Sequence, residues 1–564
     1  MSQLFLSLPQ ETTGERAKAL GAYYTDAQIA DFLVRWAVRS SGESVFDPCF
    51  GSGIFLRCAC KRLQALGGDP TRQVFGVEID RHTFQMVSDN LHDEFHLGNK
   101  NLALSDIFEI ESRDNHQFDS VVGNPPFIRY QRFAGHARKR ALLRALQQNV
   151  VLSQLCSSWA PFLIQIVTML KNGGRLGLVL PMEVGYATYA KPVLEYLRKT
   201  FERVVFLTFG KKLFPNLSED TLLLLAENKG CGPGRFSLRD LPHAGQLARL
   251  PTDGDSRIPR LRLLNADGLV SGRERLVEHF IPRKARDLYR ELKSSPFTRR
   301  LGALCDVGIG YVTGANHFFH LSSQQVLNWE IPRDFLRVAV LRSRALCGLR
   351  FTENDWVKAM SRGNSGYLLA VDSQQDLPAS VRKYLHLGEK QGVPHAFKCR
   401  SRSPWFRVPN VYRSDAFLTY MSGATPRLVA NDFNAVAPNT LHILRLSNKC
   451  PFTSAEIAAM WQTSLTRLSV ELEGHPLGGG MLKLEPTEAE NVLLPFCDKD
   501  RHFLAQLAAE LDDLARKGQE PVAQEKADGL MLSESLGLSR NECRTLREAA
   551  DVLRQRRYTR SDKS

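Results

Sequence analysis

VVGNPPFIRY, residues 121–130, closes an apolar run with an Asn, two prolines and an aromatic. Pro125 and Pro126 have no N–H to donate and fix φ, so the run cannot continue as a ladder strand. The residues before it, Phe118 to Val122, read as a buried strand. The strand therefore ends in a rigid loop that projects one amide, Asn124, and one ring, Phe127. A bare Pro-Pro is more often a simple strand-terminating turn, so the segments around it have to decide.

Working outward, the chain to about residue 228 alternates helix-like and strand-like patterns. TDAQIADFLVRWAV (25–38) has helical periodicity, SVFDP a short strand, IFLRCACKRLQAL (54–66) a helix, VFGVEI (74–79) a strand. HTFQMVSDNLHDEF is another helix, followed by LALSDIF, the Asn-Pro-Pro strand, a long helical run to Leu170, a Gly173-Gly174 turn and the strand RLGLVLP. Val204 to Phe209 and Thr221 to Ala226 complete the set. Strands separated by helices predict an α/β fold with a doubly wound, mostly parallel sheet, whose ligands bind at the C-terminal strand ends. Gly and Pro cluster in NKGCGPGR (228–235), which predicts a domain boundary there. The expected organisation is an α/β domain over 1–235, a mixed α+β domain over 236–495 and a helical segment over 496–564. FLAQLAAELDDLA and CRTLREAADVLRQRR in that last segment are amphipathic helices.

The length of 564 residues exceeds one hydrophobic core, and the formal charge of +14 favours a polyanion, nucleic acid ahead of an anionic membrane surface. The beginning of the chain lacks the pattern of a signal peptide, and no apolar run reaches membrane-spanning length. The eleven cysteines show no Cys-x-x-Cys spacing, which predicts no metal site and reduced thiols in a cytoplasm.

Three strand ends carry a coherent set. In FDPCFGSGIFL, Gly51 and Gly53 allow close approach of backbone to a ligand. Glu78 ends the next strand, where a carboxylate can accept two ribose hydroxyls. In LSDIF, Asp106 can accept from an exocyclic amine, with Ile107 or Phe108 over the ring. Taken alone, each has a bland reading: a tight turn, a solvated acid, a core residue.

The whole series resembles the S-adenosylmethionine-dependent N6-adenine DNA methyltransferases of restriction–modification systems, in the TaqI-like or gamma order. The resemblance implies that S-adenosylmethionine is the cofactor, held by Thr25, Asp47, Gly51, Gly53, Glu78, Ile79, Asp106 and Ile107. The family usually has Pro after that Thr; here it is Asp26. It implies catalysis by Asn124, Pro125, Pro126 and Phe127, where many relatives have Tyr in place of Phe127. A flipped adenine would stack on Phe127 and on Phe214 of FGKKLFPNLSED. The second domain would recognise double-stranded DNA, with GIGYVTGANHFF (308–319) and HPLGGGMLKLEPTE (475–488) similar to segments of such domains.

Candidate phosphate contacts are Arg129, Arg132, Lys139 and Arg140, on a basic stretch beside the catalytic loop. Arg402, Arg407 and Arg413 are further candidates in FKCRSRSPWFRVPNVYR, where cations interleave with aromatics. A solvated face is the plainer reading of both. Localisation in a bacterial or archaeal cytoplasm follows from the resemblance, and a separate cognate restriction endonuclease is left open by it. Two alternatives also stay open: a methyltransferase of an RNA base or a glutamine amide, which share the Asn-Pro-Pro loop, and a non-catalytic DNA-binding subunit.

Overall fold

The three residues Val45–Asp47, β1, are buried on every side and pair in parallel with β2 (Val74–Glu78) and β4 (Phe118–Gly123). A strand this short and dry holds its place through both neighbours, and its apolar Val45 and Phe46 suit a central parallel position. Around it the computed structural model builds a nine-stranded sheet in the order β3-β2-β1-β4-β5-β7-β6-β8-β9. Here β3 is Leu102–Leu104, β5 Leu170–Pro181, β6 Phe201–Phe209, β7 Thr221–Lys229, β8 Arg235–Leu241 and β9 Arg262–Leu263. β7 runs antiparallel between β5 and β6, and β9 antiparallel to β8; the other pairings are parallel. The structure describes residues 25–98, 100–111, 117–214, 220–252, 258–372, 377–496 and 501–560. The stretch read for a signal peptide, residues 21–24 just before Thr25, and residues 215–219 lie outside it.

Helices α1 (Ala27–Ala37), α2 (Ile54–Leu66) and α3 (Arg81–Phe95) start on local chemistry. Asp26 accepts from Gln28 N at 2.8 Å and Asp80 from Thr83 N at 2.9 Å, so both are N-caps. The Asp at 26, where the family has Pro, thus still starts a helix. Gly53, before α2, sits at φ +75°, and a Cβ there would lie 2.5 Å from Val87 Cγ1 of α3.

Three sequence expectations shift. The Gly173-Gly174 pair is an excursion inside β5: Phe118 pairs with Leu170 and Ser120 with Arg175, and the residues between bulge out with Gly173 at φ +78°. The long helical run divides into α4 (Gly135–Gln147) and α5 (Trp159–Thr168). The Gly/Pro cluster near 232 is a packed turn and not a linker, since a Cβ on Gly232 or Gly234 would meet the carbonyl oxygens of Lys199 and Phe201 at 2.0 and 2.1 Å. The chain therefore continues into β8 and β9, and the first compact unit comprises Met1–Phe280 with Thr559–Ser564.

The second unit, Ile281–Tyr558, holds a five-stranded sheet of Cys305–Ile309, His442–Leu446, Ala416–Leu418, Leu428–Asn431 and Arg350–Phe351, in that spatial order. Among the described residues, two three-stranded sheets, a two-stranded pair and helices complete it. The helices Arg501–Arg516 and Glu520–Ala527 bury Leu504, Leu507, Leu511 and Ala523 in the same core as Ile457 and Met460. Asp528 accepts from Ser464 N and Oγ at 2.7 and 2.6 Å and pairs with Arg547, and Arg557 pairs with buried Glu471 at 2.7 Å. The described residues from 501 onward are largely helical as expected, and those up to Tyr558 are built into this unit.

Two glycine replacements test the βα turn. Gly53→Ala strains a left-handed residue and collides with Val87, so it should cost about 1–3 kcal/mol. Gly42→Ala, with nothing within 4 Å, should be neutral. Chemical denaturation followed through the first unit reads both, and equal midpoints would refute this account of the turn.

Candidate active site

Parallel pairing brings four strand ends to one side of the sheet: Asp47 at the end of β1, Glu78 at the end of β2, Asp106 just after β3 and Asn124 just after β4. Cross-bonds join them. Glu78 Oε2 accepts from Gly51 N at 2.9 Å, while its Oε1 accepts from Ile79 N and Asp80 N at 2.9 Å each. The left-handed Gly51 (φ +46°) is what turns its N–H onto that carboxylate. Ile79, beside it, is 52% exposed, an apolar side chain left in water at a strand end.

Asp47 is fully buried. Its Oδ1 accepts from Cys49 N at 3.2 Å, and its Oδ2, also buried, meets no hydrogen-bond partner among the described residues. Burial pushes this carboxyl up to about 8; the Cys49 N–H draws it partly back and the Glu78 charge raises it further. Burial also raises the Cys49 thiol, which stays protonated and donates to the Asn124 main-chain oxygen at 3.4 Å. Gly123 is tight for a related reason, since a Cβ there would stand 3.0 Å from Asp47 Oδ1.

Asn124 Nδ2 donates to Thr25 Oγ1 at 3.2 Å, which joins the start of α1 to the end of β4. Phe127 and Pro125 are buried and Pro126 partly so. Asp106 Oδ1 accepts from Phe108 N at 3.0 Å and its Oδ2 pairs with Arg140 at 3.3 Å. Ile107 is buried in the turn that follows, unlike exposed Ile79. Phe214 is buried in the same core as Phe127.

Of the cations named from sequence, Arg129, Arg132, Lys139, Arg407 and Arg413 are exposed. Two others are engaged inside the fold. Arg140 bridges Asp106 and Glu109, and Arg402 donates to Thr313 O at 2.8 Å and Val312 O at 2.5 Å. Arg402 fastens its loop to the GYVTGAN segment, and the same loop displays Phe397, 70% exposed between Arg400 and Lys398.

Sequence reasoning passed over Cys49, Phe397 and Arg560. Arg560, buried, pairs with Asp220 at 2.8 Å and donates through Nε to Phe209 O at 3.1 Å, at the two ends of the 210–219 segment that carries Phe214. Nothing in a terminal basic tail marks one of its arginines as buried.

Residues 3–230 match the family model "N-6 DNA Methylase", and residues 273–532 match that of the C-terminal domain of Type II methyltransferase M.Eco57I. The chain is 18% identical to Type II methyltransferase M.AccI of Acinetobacter calcoaceticus over 84% of this chain and 85% of that protein. It is 23% identical to M.XamI of Xanthomonas campestris pv. amaranthicola, over 86% of each. Its fold is shared with the Type IIL restriction–modification enzyme MmeI, solved in complex with DNA, at a TM-score of 0.59 and 12% identity, over 97% of this chain and 80% of that one.

The sheet is that of the S-adenosylmethionine-dependent methyltransferases, a class that draws its methyl group from that cofactor. The chain belongs to the N6-adenine DNA methyltransferases of restriction–modification systems.

The residues fit a cofactor that carries positive charge: a buried carboxylate oxygen without a partner, a left-handed glycine turn and an exposed isoleucine lie at adjacent strand ends. A cation beside Asp47 favours its ionised form, so binding should release a proton. Affinity for S-adenosylmethionine should then rise with pH between about 6 and 8, by at most roughly tenfold per unit. The ligand-free first unit should do the opposite. Between the unfolded carboxyl value near 4 and the folded value of about 8, only the folded chain keeps the proton, so stability falls as pH rises. Calorimetry across pH checks the first trend and denaturation the second; Asp47→Asn should flatten both.

Arg402 and the exposed arginines should separate as well. Arg402→Ala should destabilise the second unit by about 1–3 kcal/mol through its two carbonyl partners. Arg407→Ala and Arg413→Ala should leave stability unchanged, weaken DNA binding and lower its salt dependence. Melting curves and binding titrations at several salt concentrations distinguish the two behaviours.

Proposed function

We propose that Asn124 Oδ1 and the Pro125 carbonyl accept the two hydrogens on N6 of a target adenine, while Phe127 stacks on the base. The observation that carries this reading is the way Asn124 is held. Its Nδ2 donates to Thr25, its main-chain oxygen accepts from Cys49, and Oδ1 is the acceptor the amide has for an amine. The N6 lone pair is delocalised into the ring and is a poor nucleophile. Two acceptors draw the nitrogen toward sp³ and localise that pair. S-adenosylmethionine, when bound, supplies a methyl on a sulfonium sulfur. Asp47, Glu78, Gly51 and Ile79 are the residues that hold it, and Thr25 orients the amide beside it. The methylated amine is cationic and sheds its proton without a strong base, so positioning is the main lever. Stacking on Phe127 adds about 1–3 kcal/mol.

In a duplex N6 is paired, so the base must leave the helix at a cost of a few kcal/mol. On this reading Phe214 supplies a second wall for the flipped base. The second unit reads the sequence and supplies contacts that offset flipping, with exposed Arg407 and Arg413 on its surface and Arg129, Arg132 and Lys139 beside the catalytic loop. The family match over 273–532 favours DNA over an RNA base or a glutamine amide. The reading places the protein in the cytoplasm, where the chromosome is, and leaves open a cognate restriction endonuclease on a separate chain. No helix among the described residues is long and apolar enough to cross a membrane.

The test is Asn124→Ala. With DNA from a host lacking adenine methylation, the wild-type chain should produce N6-methyladenine and the variant essentially none, while cofactor affinity stays within about twofold. Wild-type turnover by the variant, or modification of cytosine in place of adenine, would overturn the mechanism.

A further inference from the structure

Ser158 stands immediately before α5 and is 2% exposed. A serine in that place ordinarily turns its hydroxyl onto the first free N–H groups of its own helix. Ser158 makes no such bond. Its Oγ donates to the Pro126 carbonyl at 2.5 Å and accepts from Ile128 N at 2.8 Å, and its own N–H donates to Ile128 O at 2.9 Å. The three bonds grip the main chain on both sides of Phe127.

The segment that carries Ser158 is itself anchored. Glu183, in the turn Met182–Gly185 after β5, accepts from Ser157 Oγ and Trp159 Nε1 at 3.3 Å each, and from the Tyr189 hydroxyl. Trp159 Nε1 also donates to Tyr189 Oη at 2.9 Å. One carboxylate thus gathers donors from both residues that flank Ser158.

We infer that Ser158 is a positioning residue for the target base: it fixes the Phe127 ring and the Pro126 carbonyl, and Glu183 fixes Ser158 in turn. The inference rests on the stacking role proposed for Phe127. Pro125 and Pro126 have no N–H groups with which to tie the loop to a neighbour, so an outside donor must define where their carbonyls lie. The hydroxyl of Ser158 has left its usual local role to do so. A local rule broken beside an active loop is where a functional constraint is expected. A ring displaced by about 1 Å would still admit the base but present N6 poorly, which can cost on the order of 100-fold in rate.

The experiment uses the full chain and the duplex site that sequencing of wild-type-methylated DNA defines. Ser158→Ala should lower kcat about 10- to 100-fold. The KM for DNA and the affinity for S-adenosylmethionine should stay within about twofold, and the melting temperature should fall by only a few degrees. With 2-aminopurine in place of the target adenine, stacking on Phe127 should quench the flipped base in the wild-type complex, and Ser158→Ala should leave it brighter. Glu183→Gln, which keeps an acceptor oxygen, should show the same fluorescence change with a smaller loss of kcat. Wild-type turnover by Ser158→Ala would overturn the inference. So would a loss confined to KM or cofactor affinity with unchanged fluorescence. If Asn124→Ala is inactive while Ser158→Ala is not, only this inference fails. If the wild-type chain transfers no methyl group to an exocyclic amine, the parent reading fails and takes this one with it.

Discussion

A buried carboxylate at the end of a three-residue strand is the constraint on which the first unit turns. Asp47 can occupy that place because β1 is gripped in parallel register on both sides and because each neighbour offers a glycine nearby. Gly76, paired with Asp47, leaves room for Phe50 and Leu56, which a Cβ would approach to 2.8 and 2.9 Å. Gly123 leaves room for the carboxylate itself. A buried charge without a partner is costly, so the group keeps its proton until a cation approaches. The same strand end then directs the Cys49 thiol to Asn124, and Gly51 N to Glu78. Burial at one residue organises the electrostatics of three strand ends.

The sequence was most legible where period and punctuation agree. Val74–Glu78 and Phe118–Gly123 are apolar runs ended by a carboxylate or by prolines, and the alternation with helices is enough to imply a parallel sheet. Punctuation misleads when packing, and not chain flexibility, requires it. Gly232 and Gly234 read as a domain boundary but are glycines because a carbonyl oxygen lies about 2 Å from each absent Cβ. Gly173 differs, since a Cβ there would meet nothing and its φ of +78° is what calls for glycine, in a bulge where a turn was expected. The second unit resisted reading because strands such as Arg350–Phe351 and His320–Leu321 have two residues, too few to establish a period.

The site residues divide along a similar line. The strand-end positions of Asn124, Asp47 and Glu78 were legible because apolar runs and glycine turns locate them. Basic residues were not, because a guanidinium on a polar stretch carries no mark of its partner. Arg140 and Arg129 lie in one basic run, yet Arg140 meets Asp106 and Glu109, carboxylates on a distant stretch of chain. Arg402 and Arg407 are five residues apart, yet Arg402 closes a loop on two carbonyls while Arg407 is exposed. Only the fold tells a structural guanidinium from one that faces solvent.

The two prolines that first singled out the catalytic loop also explain why so much of its support comes from other elements. A strand end followed by ordinary residues would be held by its own N–H groups. Pro125 and Pro126 abolish two of them in succession, which frees their carbonyls of competing local donors and fixes φ. The loop is then stiff but not anchored. Anchoring comes from donors elsewhere: the Cys49 thiol at the Asn124 carbonyl and the Ser158 hydroxyl at the Pro126 carbonyl, while Thr25 takes the Asn124 amide. These three come from the β1–α2 loop, the start of α5 and the start of α1. Chemistry that depends on holding two acceptors still, and not on a strong base, needs such a cage. The Pro125 carbonyl, between the two held by Cys49 and Ser158, is the one this reading assigns to the amine.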